Sequence, residues 1–152
     1  MKDFETEENA DRKAWMGLLA RAPAAELSAL WDGLGLAPDF AWLRVPEVGG
    51  VMVRGRAGAT GAAFNLGEMS VTRGSLKLAD GTVGHAMVQG RDRRKAEIAA
   101  LADALMQGDQ ADTVRKGLLE PLQAAAEVRA TKRAEKAAAT KVDFFTMVRG
   151  EA

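Results

Sequence analysis

Residues 69–89, MSVTRGSLKLADGTVGHAMVQ, decide the fold. Apolar and polar residues alternate on both sides of Asp80-Gly81, which is a strong signal for a β-hairpin closed by a two-residue type I′ turn. Such a turn sets the register and places these pairs on one face: Leu78 with Val83, Leu76 with His85, and Gly74 with Met87. We therefore predict two antiparallel strands whose buried face fixes their pairing.

The segment before this hairpin predicts further strands. Alternation from Phe40 to Val45 stops at Pro46, residues 51–57 have the pattern of a half-buried strand, and residues 64–66 form a shorter candidate. We expect an α+β protein with an antiparallel sheet of four to five strands, at about residues 40–89, flanked by N-terminal and C-terminal helices.

Helical periods precede the sheet. A first helix is predicted from Ala10 to Arg21 with Asn9 as its N-cap. A second helix begins near Pro23 and ends at Gly33 or Gly35. Its apolar residues recur at the spacing of one helical face: Leu27, Leu30, Trp31 and Leu34.

The helical period returns after Gly90. An apolar stripe predicts a helix that ends by Gly108, and its members are Ile98, Leu101, Ala102 and Leu105. A further helix through Val114 and Leu118 is expected to break near Pro121. Residues 122–141 are rich in alanine, which favours a helix with little to bury.

The chain is predicted to be a single domain over residues 1–152, with a flexible acidic N-terminus at 1–9 and a helical C-terminal arm at 122–152. The arm ends in apolar residues that are too few to make their own core, so a partner protein is the favoured cover and folding back onto the sheet is the alternative. The candidate docking residues are Val142, Phe144, Phe145, Met147, Val148 and Arg149.

Composition excludes several functions. The 21 Lys and Arg balance the 21 Asp and Glu, so no net field draws the chain to nucleic acid or a membrane. The absence of cysteine excludes disulfides and thiolate sites, and a single histidine argues against zinc or a Ser-His-Asp triad. We expect no metal or cofactor bound by this chain alone. An acidic start without an apolar run makes the cytoplasm the expected compartment.

The only histidine, His85, has two interpretations. In the predicted register it lies beside Leu76 and Leu78, which favours a hydrogen-bonded histidine in the core. The alternative is a catalytic base, which would need a partner and an open face.

Three arginines follow the predicted last strand. Arg91, Arg93 and Arg94 lie where a strand turns into a helix, and unpaired N–H groups at a helix start favour an anion such as phosphate. The alternative is a solvated basic turn that Asp92 caps.

Two further segments, one glycine-rich and one basic, are best interpreted as ordinary structural features without a specific function. Residues 55–61, GRAGATG, lack the Lys-Ser/Thr of a phosphate-binding P-loop, which favours a strand connection. A basic stripe at helical spacing is usually a solvated surface. It comprises Arg129, Lys132, Arg133 and Lys136.

Several short segments together resemble a known family. They are 80–84 (DGTVG), 88–92 (VQGRD), 103–106 (DALM) and the terminal 142–150 (VDFFTMVRG), with a similar helix opening at 12–16 (RKAWM). Over about Arg12 to Gly150 the sequence resembles the PhnG family, and the terminal nonapeptide is the most specific signal.

The resemblance implies a subunit of the carbon–phosphorus lyase core complex, beside PhnH, PhnI and PhnJ. It implies action with PhnI, PhnH and PhnL in displacing adenine from ATP by a phosphonate, which gives a ribose 1-phosphonate 5-triphosphate. ATP and the phosphonate are then substrates of the complex. The resemblance assigns no catalytic residue here, so the isolated chain is expected to be inactive. The alternatives are an enzyme built around His85 and Arg91, or an independent phosphate- or phosphonate-sensing module.

Overall fold

Helices pack against one face of a sheet in residues 7–142, the part of the chain that the computed structural model describes, with side chains from Asn9 onward. Two helices come first, α1 (Glu7–Arg21) and α2 (Ala24–Leu34). Three strands follow: β1 (Phe40–Arg56), β2 (Ala63–Leu78) and β3 (Val83–Gln89). The last helices are α3 (Arg93–Leu105), α4 (Ala111–Val114) and α5 (Glu120–Ala139).

The strands form one antiparallel sheet in the order β1-β2-β3. The α+β class is confirmed, but four to five strands is wrong, because segments predicted separately join into two long strands within residues 7–142. Pro46 does not end β1. It lies in an edge strand, where a missing N–H is tolerated, and the register is irregular between Arg44 and Glu47.

The hairpin between β2 and β3 is present, but its register differs by one residue from the predicted one. The Leu78 N–H donates to the Thr82 carbonyl at 2.9 Å, and the Gly81 N–H donates to the Leu78 carbonyl at 3.0 Å. The turn thus contains three residues and ends in Gly81 at φ 93°, as in a type I turn followed by a bulge. The observed pairs are Lys77 with Val83, Ser75 with His85, and Arg73 with Met87.

This register decides which face of β3 is buried. Gly84, Ala86 and Val88 face the helices, whereas His85 and Met87 are exposed. The predicted core position of His85 is therefore wrong. The small residues face inward because a helix packs very close to them: a Cβ on Gly84 would lie 2.0 Å from the carbonyl oxygen of Ala100.

The helix that packs there, α3, is the centre of the core. Ten of its thirteen residues are buried, so the predicted apolar stripe is confirmed and the burial extends beyond it. Alanines on its other faces let neighbouring elements approach from several sides. The Asp92 side chain caps its start by accepting from the Lys95 N–H at 2.9 Å.

A buried carboxylate joins three elements. Asp103 on α3 accepts from Arg12 Nε at 3.1 Å and Nη2 at 2.7 Å, from Trp15 Nε1 at 3.0 Å, and from the His85 N–H at 2.9 Å. One turn later, Gln107 Nε2 donates to the Val83 carbonyl at 3.0 Å. These two side chains pair two backbone groups on the outer edge of β3, which makes this edge less available to another strand.

Some predicted helix boundaries need correction. Helix α1 already includes Glu7, so Asn9 lies inside it and is not its N-cap, and the expected flexibility of residues 1–9 stays a prediction. Gly35 ends α2 at φ 64°, one of the two predicted positions. Pro121 does not break the helix that runs through Val114 and Leu118. Helix α4 continues through a π-helical segment, Arg115–Leu119, into α5, and the wider π turn admits a proline at the start of α5.

Two elements extend beyond the core. Because β3 pairs with residues 71–77 of β2, the remainder of the β1–β2 ribbon forms a two-stranded extension over residues 50–70, here called the β-arm. Leu122 is the last buried residue of α5, and residues 130–142 are all exposed. No helix within residues 7–142 has both the length and the apolar character required to cross a membrane.

Candidate functional site

A basic cleft lies between the end of α1, the end of β3 and the outer part of α5. Its volume is about 610 Å³, within the range of small-molecule sites. Its cationic lining residues are Arg21, Arg129, Lys132, Arg133 and Lys136. The basic stripe of α5 therefore forms one wall of a cleft, and the opposite side, with Arg21 and Gln89, was not foreseen from the sequence.

Most of the positive charge in this cleft has no partner within the part of the protein that the structure describes. Arg129 Nη1 donates to Glu26 Oε2 at 2.8 Å, which ties α5 to α2. Arg21, Lys132, Arg133 and Lys136 form no hydrogen bond or ion pair with the described residues. Clustered cations without counter-charges create a positive potential that favours an anion.

A buried lysine joins the two elements that form the side of the cleft opposite α5. Lys95 Nζ donates to the Ala20 carbonyl at 2.9 Å and to the Gln89 carbonyl at 3.2 Å, next to the lining residues Arg21 and Gln89. Its side chain is buried, and this burial lowers the pKa of the ammonium, while the charge of Asp92 offsets part of that shift. Lys95 also places a further positive charge behind the cleft.

The three arginines predicted as an anion site do not converge. Arg91 Nε donates to Ser70 Oγ at 3.3 Å, beside the base of the β-arm. Arg94 pairs with Glu97 and lies 3.6 Å from Asp32 on α2. Arg93 has no hydrogen bond or ion pair with the described residues. An anion-binding role for Arg91, Arg93 and Arg94 stays a prediction.

His85 lies on the exposed face of the sheet. Its Nδ1 is 2.8 Å from Ser75 Oγ on the neighbouring strand. A serine activated by histidine also needs a group that orients the imidazole, and no carboxylate among the side chains described, those of residues 9–142, contacts this ring. This geometry therefore gives no support to the catalytic interpretation of His85.

The glycine-rich segment 55–61 is the tip of the β-arm. A short 3₁₀ turn, Ala57–Ala59, joins β1 to β2, and Arg56 Nη1 donates to the Gly61 carbonyl at 3.1 Å. The segment is followed by a strand and not by a helix. The interpretation as a strand connection is confirmed.

The β-arm exposes large apolar side chains, and their exposure to water is energetically unfavourable. Relative exposures are 55% for Met52, 46% for Phe64 and 66% for Leu66. An isolated two-stranded hairpin is marginal in water, and exposed apolar residues gathered on one element mark contact surfaces. Sequence reasoning found these segments as strands but did not foresee that they leave the core.

The predicted docking segment lies almost entirely outside the described residues. Val142 is described and exposed. Phe144, Phe145, Met147, Val148 and Arg149 fall outside residues 7–142, so their docking role stays a prediction. Within the described part, no group of three or more His, Asp or Glu side chains is arranged to hold a metal ion.

Comparisons with known proteins agree with the resemblance seen in the sequence. The family model described as phosphonate metabolism protein PhnG matches residues 10–150. The chain is 46% identical over 142 residues to the alpha-D-ribose 1-methylphosphonate 5-triphosphate synthase subunit PhnG of Rhizobium meliloti (strain 1021), covering 93% of this chain and 91% of that protein. The chain therefore belongs to the PhnG family of phosphonate metabolism proteins.

Proposed function

We propose that this chain is a non-catalytic subunit of a ribose 1-phosphonate 5-triphosphate synthase. It acts with PhnI, PhnH and PhnL in transferring a phosphonate to the ribose C1 of ATP, with release of adenine, within the complex that also contains PhnJ. ATP and the phosphonate are substrates of the assembly, and the isolated chain has no turnover. The relative from Rhizobium meliloti, whose name describes it as a synthase subunit, supports this proposal.

The β-arm is the observation that carries the assembly role. It presents Met52, Phe64 and Leu66 to solvent on a ribbon where, among the described residues, no third strand pairs with residues 63–70 of β2. A partner that covers these side chains gains apolar burial of about 1.5–3 kcal/mol for each one that becomes fully buried. We assign this partner as PhnI, one of the subunits with which the family resemblance implies that this chain acts.

Co-expression of the full chain with PhnI, PhnH and PhnL tests this assignment. Phe64→Gln combined with Leu66→Gln should reduce co-purification with PhnI and lower ATP- and phosphonate-dependent adenine release in parallel. The matched control combines Met87→Gln with Val128→Gln, which also replaces two exposed apolar residues but lies off the β-arm. All four substitutions are at exposed positions, so each isolated variant should stay folded, with changes in stability within about 0.5 kcal/mol.

Equal co-purification of the arm variant and the control would overturn the role of the β-arm. Adenine release by the isolated chain would overturn its non-catalytic character. The second candidate function, an independent phosphate-sensing module, draws on the basic cleft. It requires a chain that binds its ligand but does not associate with PhnI, so the same co-purification experiment separates the two functions.

A further inference from the structure

We propose that the basic cleft is a binding site for a linear polyphosphate group, of the size of a triphosphate. The site is formed by Arg21 and Gln89 on one side and by Arg129, Lys132, Arg133 and Lys136 on α5. This site would add a ligand-binding role to the proposed function. The site itself does not depend on that function, and only the identity of the compound that carries the phosphates rests on it.

The spacing of the cations on α5 suits a chain of phosphates better than a single one. Arg129 and Lys136 are two turns apart, so their backbones are separated by about 10 Å along the helix axis. Lys132 and Arg133 lie between them on the same face. A monophosphate could contact only part of this row, whereas a triphosphate extends along it with at least one negative charge on each phosphate.

The opposite side supplies donors of a different kind. Arg21 ends α1, and a guanidinium can bind two phosphate oxygens at once. Gln89 ends β3 and offers an uncharged amide that can donate to an oxygen lying between cations. Cations on α1 and on α5, which lie far apart in the sequence, therefore line the same cleft. A solvated basic stripe on a single helix does not explain this convergence.

Lys95 fixes this arrangement from below. Its ammonium holds the carbonyls of Ala20 and Gln89, and these residues adjoin or form the side of the cleft opposite α5. Glu26 holds Arg129 at 2.8 Å on the other side. Lys95 thus holds the end of α1 next to the end of β3, where Arg21 and Gln89 line the cleft.

Binding of inorganic triphosphate to the full chain, measured by titration calorimetry at low and moderate salt, tests the site. We expect saturable binding that weakens with salt, and much weaker binding of inorganic phosphate. Arg133→Gln combined with Lys136→Gln should weaken triphosphate binding at least about tenfold, since both substitutions remove charge-assisted contacts. Arg73→Gln combined with Lys77→Gln removes the same net charge from exposed positions on the sheet, outside the β-arm, and should change binding less than about twofold.

ATP and AMP identify the carrier of the phosphates. Equal binding of ATP and inorganic triphosphate, with weak binding of AMP, assigns the cleft to the phosphate chain of any carrier. Tighter binding of ATP assigns it to a nucleoside triphosphate, and both results support the site. Absence of triphosphate binding, or equal losses in the cleft variant and its control, overturns it. If the cleft variant instead loses only its association with PhnI, the cleft binds an acidic protein surface and the proposal is wrong, while the subunit role stands.

Discussion

Arg12 and Asp103, which are 91 positions apart in the sequence, form a two-bond ion pair between α1 and α3, with distances of 3.1 and 2.7 Å. The carboxylate is completely buried, and the arginine side chain keeps 32% of its surface exposed. Hydrogen bonds from Trp15 and from the backbone of His85 complete the shell of the carboxylate. Four donors satisfy the buried charge, and no polar atom is left unpaired there. The carboxylate thereby connects α1, the edge of β3 and α3.

Replacing this carboxylate should destabilise the fold severely. Asp103→Ala leaves the Trp15 indole and the His85 N–H without acceptors and opens the contact with Arg12, so we expect a loss of about 3–5 kcal/mol in the free energy of unfolding. Asp103→Asn should cost less, because the amide keeps one acceptor oxygen and the same volume. Urea denaturation followed by circular dichroism measures both. A midpoint for Asp103→Ala equal to that of the wild type would contradict the structural role.

Gly84 should tolerate no side chain. A Cβ there would lie 2.0 Å from the Ala100 carbonyl oxygen and 2.9 Å from the Ala104 nitrogen, and backbone atoms of a central helix cannot move aside cheaply. We expect Gly84→Ala to lower the free energy of unfolding by about 1–3 kcal/mol, as for overpacked cores. Gly67→Ala is the matched control, because it is a strand glycine whose Cβ would meet nothing within 4 Å. Equal stabilities of the two variants would show that α3 does not pack as closely as described.

The sequence predicted the presence of the hairpin but not its register. Asp80-Gly81 suits a two-residue turn and also a three-residue turn in which Gly81 takes the left-handed position. The choice depends on which face of β3 the core helix covers, and Gly84 and Ala86 leave room for α3 whereas His85 does not. That requirement is tertiary, so alternation within residues 69–89 does not contain it.

The candidate site was visible in the sequence only in part. The basic stripe of α5 follows from helical spacing, but Arg21 lies more than 100 positions before all of its members and Gln89 lies on a strand. Their convergence depends on how α1 and β3 pack, and on the contacts that Lys95 makes with both. Local patterns carry no information about such distances. The resemblance in short segments identified the family because those segments do not depend on the tertiary arrangement.

The stability contribution of Lys95 should depend on pH in the alkaline range. Burial lowers the pKa of its ammonium in the folded protein, so between that pKa and the ordinary lysine value of about 10.4 the unfolded chain binds more protons. The free energy of unfolding therefore gains a component that rises with pH through this window. Lys95→Met lacks this component. Urea denaturation from about pH 8 to pH 10.4 should show the wild type gaining stability relative to the variant, and a constant difference would contradict the pKa shift.

Truncation after Thr140 separates docking from folding. Leu122 is the last buried residue of α5 and Thr140 caps its end, so removing residues 141–152 takes away no described part of the core. We expect the truncated chain to unfold at the same urea midpoint as the full chain.

The removed residues include Phe144, Phe145, Met147 and Val148, and large apolar side chains contribute about 1.5–3 kcal/mol each when a partner buries them. Association with PhnI should therefore weaken by orders of magnitude in a pull-down at matched concentrations. The full-length control with Met87→Gln and Val128→Gln replaces exposed apolar residues outside this segment, and we expect it to bind nearly normally. Full co-purification of the truncated chain would show that docking depends on other surfaces, with the β-arm as the next candidate.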